Sequence, residues 1–396
     1  MEASFKKKVL IYIPENRLQP TGGMAGYNYN LKLGLEEIGA SNYYYLPPSE
    51  TLKAKIDKAQ NSWLKKAVSL WLRVFYYLKL LFIGGGYSSV DFNDFDVVHF
   101  HNAKDLYCAS ETLKNYKGIV VLTNHSPKPW SSELYDAVTD FERKWLGWLY
   151  KRMTVVDRIA FDRANYIIFP CEDAEEPYYN NWKEYRNVHN RNAEKYRYLL
   201  TGTKPCEAKV DREIYRAQHG ISTDTFVISY AGRHNKVKGY DLLCELGHRL
   251  KNDDDISFLV AGKYNSESIP KLERWKEIGW TDDPHSLISA SDIFVLPNRE
   301  TYFDLIMLEV LSLGVIVVAS RTGGNKYFEK CQENGIFLYS NLDEAEKIIR
   351  TIKDMTPERR KELGLKNKML YKSLFTLDKF ATHYVDIINE LPDIRG

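Results

Sequence analysis

Short apolar runs alternate with longer amphipathic stretches along most of the chain. VLIYIP, DVVHF, IVVLT and YIIFP occur in the first half, and FVISYA, ISFLVA, DIFVLP and GVIVVAS in the second. Continuous β-branched runs are typical of strands buried on both faces of a parallel sheet, and the stretches between them have helical periodicity. The pattern predicts two doubly wound α/β domains, with a cleft between them where the carboxyl ends of the strands face each other.

This alternation is interrupted once. Residues 178–224 are polar, rich in Asn, Arg and Tyr, and show no clear strand. We place the domain junction near the end of this segment, at 201–205. The predicted domains are therefore 1–203 and 204–377, and the amphipathic stretch 378–396 is predicted to be a helix that returns towards the first domain.

Composition narrows the class of protein. The 396 residues are 44% hydrophobic, enough for two cores, and the formal net charge of +2 argues against a general nucleic-acid binder. Five scattered cysteines without a C-x-x-C pair favour a reducing compartment and no zinc site. Glu15 and Asn16 end the first apolar run too early for a signal peptide, and no charge-free stretch of ~18 residues predicts a spanning helix.

Two loops that follow predicted strands carry candidate anion-binding groups. Gly22 and Gly23 precede the first helix, where glycine lets the backbone approach an anion and the helix start supplies N–H groups, although an ordinary turn has the same pattern. In the second domain, Arg233 and Lys238 lie between the strand FVISYA and a helix. A planar guanidinium and a point charge suit a diphosphate, whereas two solvated loop charges are the plainer alternative.

A further motif lies in NRETYFDLIMLEVLSLG, which reads as a loop followed by a helix from about Leu305 to Leu313. Glu309 falls within the apolar part of this helix, and a carboxylate there needs partners, for which ribose hydroxyls are suitable. The N–H groups near Asp304 and Leu305 are placed to hold phosphate oxygens.

Together these motifs resemble the donor domain of the GT-B glycosyltransferases, specifically the retaining family 4. The matching positions are Gly232–Arg233, Lys238–Gly239, Ser291–Pro297, Glu309 and Gly314–Ala319. The first domain is similar to the family more weakly, through Gly22–Gly23, VVHFHN and LTNHSP. The resemblance implies two Rossmann-like domains facing a central cleft, with the acceptor bound by the first domain and a nucleotide sugar by the second.

The resemblance also implies residue roles. Arg233 and Lys238 would neutralise the diphosphate of the donor and support its departure, Glu309 would bind the ribose, and His125 would lie near the transferring sugar. The other donor-binding positions implied are Gly22, Gly23, Gly232, Gly262, Trp280, Thr301, Phe303, Asp304 and Leu305.

One position departs from the family pattern. The first Glu of E-x7-E, which contacts the donor sugar in the family, falls on Thr301, while Glu300 is one position out of register. Thr301, Asp304 or Glu300 is expected to take over this contact. The departure keeps two other functions open: an inactive relative that serves as a binding partner or chaperone of another transferase, or a nucleotide-sugar epimerase.

Three histidines lie at or near the ends of predicted first-domain strands: His99, His101 and His125. A lone histidine usually has a structural role, but His125 is a candidate for hydrogen bonding to the donor sugar or its phosphate, with His101 a secondary candidate. His285 and His383 are interpreted as surface or packing residues.

No metal is predicted to be required. The D-F-D at 94–96 matches a three-residue metal motif but opens a strand, so a turn is the better interpretation. Arg233 and Lys238 can supply the positive charge that a metal would supply.

The stretch 62–86 predicts a basic, aromatic amphipathic helix. On a helical wheel its polar face carries Lys65, Lys66, Ser69, Arg73 and Tyr76, and its apolar face carries Trp63, Leu70, Trp71, Val74, Phe75, Leu78 and Leu81. A helix packed on the sheet is one interpretation. The excess of Trp and Tyr beside Lys and Arg favours contact with an anionic membrane surface.

These inferences predict a metal-independent retaining glycosyltransferase with no required cofactor. It would move a sugar from a nucleotide-diphosphate donor, UDP rather than GDP, to a hydroxyl of a lipid-linked saccharide in surface polysaccharide synthesis. The expected location is cytoplasmic, at the inner face of the cell membrane. No nucleic-acid partner is expected, and the sequence predicts no particular protein partner.

Overall fold

The computed structural model describes residues 7–14, 18–20, 23–46, 63–263, 269–331 and 334–392. The chain divides into two compact units. Unit 1 comprises Met1–Phe169, Pro177–Leu199 and Ala381–Gly396, and unit 2 comprises Pro170–Glu176 and Leu200–Phe380.

A parallel sheet forms the centre of unit 1. Its described strands are β1 Val9–Tyr12, β2 Tyr43–Tyr45, β3 Val97–Phe100, β4 Ile119–Thr123, β5 Tyr166–Phe169 and β6 Tyr196–Tyr198. They are ordered β2-β1-β3-β4-β5-β6, and every neighbouring pair is parallel. The central strands β1, β3 and β4 are buried along their whole length, as expected for apolar runs covered on both faces.

Helices connect these strands. Those described in the first half of the chain are α1 Met24–Glu37, α2 Trp63–Phe82, α3 Ala103–Cys108, α4 Ser110–Lys114, α5 Trp130–Ala137, α6 Asp140–Arg152, α7 Thr154–Arg163, α8 Glu176–Asn181 and α9 Tyr185–Arg191. Thr139 and Glu142 form a reciprocal capping box at the start of α6, in which each side chain accepts the backbone N–H of the other residue.

Unit 2 has a second parallel sheet. Its described strands are β7 Phe226–Ala231, β8 Ile256–Ala261, β9 Trp275–Gly279, β10 Ile293–Leu296, β11 Ile316–Ser320 and β12 Ile336–Tyr339, ordered β12-β11-β10-β7-β8-β9. The described helices of this half are α10 Arg212–Gln218, α11 Tyr240–Arg249, α12 Pro284–Ser289, α13 Leu305–Leu313, α14 Leu342–Lys353, α15 Pro357–Leu374 and α16 Leu377–Glu390.

The core of unit 2 contains side chains from the strands of the sheet and from the helices packed on it. Ile228, Val260 and Val295 from the sheet and Leu246 and Ile349 from α11 and α14 are fully buried in one cluster. Full burial of such a side chain contributes roughly 1.5–3 kcal/mol to stability. The loops at the edge of this packed sheet carry the candidate site.

The predicted two-domain α/β fold is confirmed. All eight apolar runs form strands, and α13 has the predicted bounds. The statement that 178–224 lacks a strand is wrong, because Tyr196–Tyr198 pairs with β5. This edge strand is too short and too polar for an apolar run to reveal it.

The structure shows the surroundings of the predicted faces of α2. Arg73, on the predicted polar face, is exposed and forms an ion pair with the buried Glu142 of α6. Trp71 and Phe75, on the predicted apolar face, are 64% and 57% exposed, so this part of the face is not packed on the sheet. Among the helices of the described residues, none is both long and apolar enough to cross a membrane.

Candidate donor site in unit 2

The loop between β7 and α11 is held against the end of β10 by backbone geometry. Gly239 adopts a φ of +66°, and a Cβ there would lie 1.7 Å from the carbonyl oxygen of Pro297. The N–H of Arg299 donates to the carbonyl of Val237 at 3.0 Å. Only glycine fits at position 239, and its fit places the preceding residue, Lys238, over the segment that leads into α13.

Lys238 lies at the start of α13. Its Nζ is 2.8 Å from each carboxylate oxygen of Asp304, the residue that precedes the helix. Asn298, which is buried, also donates to Asp304. A cation, a polar amide and a helix N-terminus therefore meet at one point, which is an arrangement suited to an anion.

Arg233 and Gly232 lie at the beginning of the same loop. Gly232 and Gly262 are in close backbone contact, because a Cβ on Gly262, whose φ is +154°, would lie 1.7 Å from the Gly232 carbonyl oxygen. The Arg233 side chain is exposed, and within the described residues its guanidinium makes no hydrogen bond or ion pair. Trp280, predicted at the base pocket, is 67% exposed and follows β9.

Glu309 lies one turn into α13 and has a histidine partner. Nε2 of His285, on α12, is 3.3 Å from the Glu309 carboxylate. Hydrogen bonds to Cys206 and Glu309 raise the pKa of His285 to about 10, against the opposing effect of burial. The interpretation of His285 as a surface or packing residue is therefore wrong.

Cys206, His285 and Glu309 form a cluster of possible metal ligands, with one ligand atom of each within 4.8 Å of the others. A thiolate, an imidazole and a carboxylate are a donor set that suits zinc. Cysteine spacing gave no sign of this cluster, because its members come from three separate parts of unit 2. The prediction that no metal is required remains a prediction.

Thr301, at the position where the family has a glutamate, is 1% exposed. Among the described residues no hydrogen-bond partner reaches its buried hydroxyl. Glu300 is partly buried beside it, and Phe303 is buried with its ring 5.8 Å from that of Phe328. Leu305 is the first residue of α13. The hydroxyl of Thr301 therefore has unused hydrogen-bonding capacity in the segment that precedes α13.

Unit 1 contains the remaining predicted residues. Nδ1 of His101 and Nε2 of His125 are 2.8 Å apart, the two rings stack, and the ring of Tyr27 lies 4.4 Å from that of His125. Burial lowers the pKa of His125 to about 3 and that of His101 well below its usual value. One ring nitrogen donates and the other accepts, and the lowered pKa values favour the neutral form of both imidazoles.

Three further predicted positions belong to the first half of the chain: His99, Gly23 and Gly22. His99 contacts Tyr384 and Thr123, each at 2.8 Å, which uses both of its ring nitrogens and makes it a structural residue. Gly23 precedes α1 with a φ of +75°, and Gly22 lies outside the described residues.

Comparison with known proteins agrees with this arrangement. Residues 211–368 match the model of the family described as "Glycosyl transferases group 1". The O-antigen biosynthesis glycosyltransferase WclY of Escherichia coli is 27% identical over 185 residues, which cover 45% of this chain and 50% of WclY. The UDP-Gal:alpha-D-GlcNAc-diphosphoundecaprenol alpha-1,3-galactosyltransferase of Escherichia coli is 24% identical over 186 residues, 43% of this chain and 48% of that protein. The chain thus spans about half the length of the curated relatives it matches.

Solved structures extend the similarity to the whole fold. HepE of Anabaena, in complex with UDP-glucose, has a TM-score of 0.62 over 97% of this chain and 100% of that chain, at 15% identity. The two parallel sheets and this neighbour define the GT-B fold. Residues 211–368 are similar to the glycosyl transferases group 1 family, and the finer assignment to family 4 stays a prediction.

Proposed function

We propose that the protein is a retaining glycosyltransferase that moves a sugar from a UDP-sugar to a hydroxyl of a lipid-linked saccharide in surface polysaccharide synthesis. The observation that carries this proposal is the order of groups in unit 2. Lys238, from the loop before α11, contacts Asp304 at the N-terminus of α13, and Glu309 lies one turn into α13. A nucleoside diphosphate presents its phosphates and its ribose hydroxyls in the same succession.

The proposed chemistry depends on leaving-group stabilisation. Arg233, Lys238 and the first N–H groups of α13 offset the negative charge that develops on the diphosphate as the bond to the sugar breaks. The acceptor hydroxyl attacks from the same face, and the departing phosphate oxygen takes its proton, which gives retention without a carboxylate nucleophile. Thr301 and, from unit 1, His125 are assigned to the donor sugar, with His101 holding His125 in place.

The donor and acceptor classes are supported by the relatives. The galactosyltransferase of Escherichia coli is named for UDP-Gal and a diphosphoundecaprenol-linked sugar, and HepE was crystallised with UDP-glucose. We extend these classes to this chain and place the reaction at the inner face of the cell membrane. Unit 1 is assigned to the acceptor and unit 2 to the nucleotide sugar, without a required metal.

The test is a transfer assay. Purified protein is incubated with UDP-, GDP- and dTDP-sugars and an undecaprenyl-diphosphate-linked N-acetylglucosamine, in the presence of a chelator, and products are identified by mass spectrometry. One UDP-sugar should give a lengthened lipid-linked product with retained anomeric configuration, and Arg233→Ala should abolish it while Lys236→Ala should not. Transfer only from a GDP- or dTDP-sugar would refute the choice of UDP.

A second function is favoured by one observation, the buried Thr301 at the glutamate position. An inactive relative that binds UDP and acts as a partner of another transferase would bind the nucleotide but yield no product with any acceptor. An epimerase, by contrast, would alter the UDP-sugar with no acceptor present.

A further inference from the structure

Two neighbouring helices of unit 1 expose aromatic side chains on their outer faces. On α2 these are Trp71, Phe75 and Phe82, which are 64%, 57% and 69% exposed, and the rings of Trp71 and Phe75 stack 5.8 Å apart. On α6 they are Phe141, Trp145 and Trp148, spaced so that they fall on one side of the helix. We call these six residues the aromatic surface.

The two helices are fixed to each other without the aromatic surface. Arg73 of α2 pairs with the buried Glu142 of α6, and Tyr150 also donates to Glu142 at 3.2 Å. The rings of Tyr77 and Tyr150 are 5.8 Å apart. These contacts leave the aromatic side chains of both helices exposed, so substitutions of those side chains should leave the packing between the helices intact.

Positive charge accompanies the exposed rings. Lys144 lies over the ring of Trp145 and Arg152 over that of Trp148, each 5.7 Å from the ring centroid. Lys151 is exposed on the same helix, and the sequence of α2 contains four Lys or Arg residues and no acidic residue. The whole chain has a formal net charge of only +2, so this concentration of cations is local.

We propose that the aromatic surface docks on an anionic lipid surface, with α6 contributing as much as α2. Trp rings with Lys and Arg beside them suit the boundary between headgroups and acyl chains. A protein interface fits less well, since lysine is depleted at such interfaces. The inference deepens the proposed function and rests on its lipid-linked acceptor, because docking would bring unit 1 to the bilayer that holds the acceptor.

Vesicle sedimentation tests the proposal without nucleotide or acceptor. The full chain is mixed with vesicles of phosphatidylcholine alone or with about 30% phosphatidylglycerol, an anionic fraction chosen to give a strong surface charge. Wild type should bind the anionic vesicles, and added salt should weaken binding. The double variants Trp145→Ser/Trp148→Ser and Trp71→Ser/Phe75→Ser should each reduce the partition coefficient about tenfold or more.

The matched control is Leu365→Ser/Met369→Ser, which removes two exposed apolar side chains of unit 2 and should bind like wild type. UDP binding of every variant should stay unchanged, so a loss of vesicle binding is separate from a loss of donor binding. The proposal is overturned if the wild-type protein does not bind anionic vesicles, or if the α6 variant binds them like wild type. It is also overturned if light scattering shows that the aromatic surface instead joins two copies of the chain. Vesicle binding without UDP binding would refute the proposed transferase function but would still support the docking of the aromatic surface on lipid.

Discussion

The ammonium of Lys238 lies 2.8 Å from both carboxylate oxygens of Asp304. A bound diphosphate has to share or replace this partner, and its own charge is repelled by the Asp304 carboxylate. Asp304→Asn should therefore tighten UDP binding by about threefold to tenfold, in line with a partly exposed ion pair worth about 1 kcal/mol. Isothermal titration measures the change, with the exposed Asp282→Asn as a control for net charge. Weaker binding in Asp304→Asn would mean that Asp304 positions Lys238 for the nucleotide.

Thr301 should contribute to the affinity for the donor sugar and not to the stability of the fold. Thr301→Val keeps the volume and removes a buried hydroxyl that has no partner among the described residues, so the thermal midpoint should stay the same or rise. UDP affinity should be unchanged, while the extra affinity of the UDP-sugar over UDP should fall about tenfold. Thr301→Ser retains the hydroxyl and should behave like wild type. Unaltered UDP-sugar binding in the Val variant would shift the sugar contact to Glu300 or Asp304.

His285 should stabilise unit 2 in a pH-dependent way. Its pKa is raised to about 10 by Cys206 and Glu309, so the folded form keeps a proton that the unfolded form loses above its usual value near 6.5. The stabilisation is therefore complete below about pH 6.5 and is lost as the pH rises towards 10. The difference in thermal midpoint between wild type and His285→Gln should shrink over that range. The exposed His248→Gln should show no such trend, and a difference that grows with pH would contradict the assignment.

The buried His99 and the half-buried His125 of unit 1 should make the protein sensitive to acid. Burial lowers the pKa of His99 and His125 to about 3, so below about pH 6.5 the unfolded chain binds protons that the folded chain does not. Stability is thus lost as the pH falls, by about 1.4 kcal/mol per pH unit for each such histidine. Urea unfolding between pH 7 and pH 5 should give a shallower pH slope for His125→Gln than for wild type, and an unchanged slope for the exposed His383→Gln. Equal slopes in all three proteins would show that His125 titrates normally.

The sequence predicts those features that depend on local pattern. The eight apolar strands, the glycine-bounded loop with Lys238 and the helix with Glu309 follow from runs and spacing within a single window. The side-chain partners of these residues do not follow from any single window of the sequence. His285 meets Glu309 only because α12 packs beside α13, and Asp304 neutralises Lys238 only because Gly239 fits against Pro297.

The same limit applies to α2, for which the sequence left packing on the sheet and contact with a membrane as alternatives. Periodicity separates apolar from polar positions but does not indicate which apolar positions find a partner. Arg73 pairs with the buried Glu142, which lies in another helix, while the apolar Trp71 and Phe75 stay exposed. Contacts between distant segments set the final orientation of the helix.

The most direct test of the central claim is the affinity for UDP of wild type, Arg233→Ala, Lys238→Ala and the loop control Lys236→Ala, measured by isothermal titration with a chelator present. Each charge-assisted contact to phosphate is worth about 1.5–3 kcal/mol, so the first two variants should bind UDP about ten- to a hundredfold more weakly. Lys236→Ala should match wild type. Wild-type affinity in both Arg233→Ala and Lys238→Ala, or no UDP binding by the wild-type protein, would contradict the account.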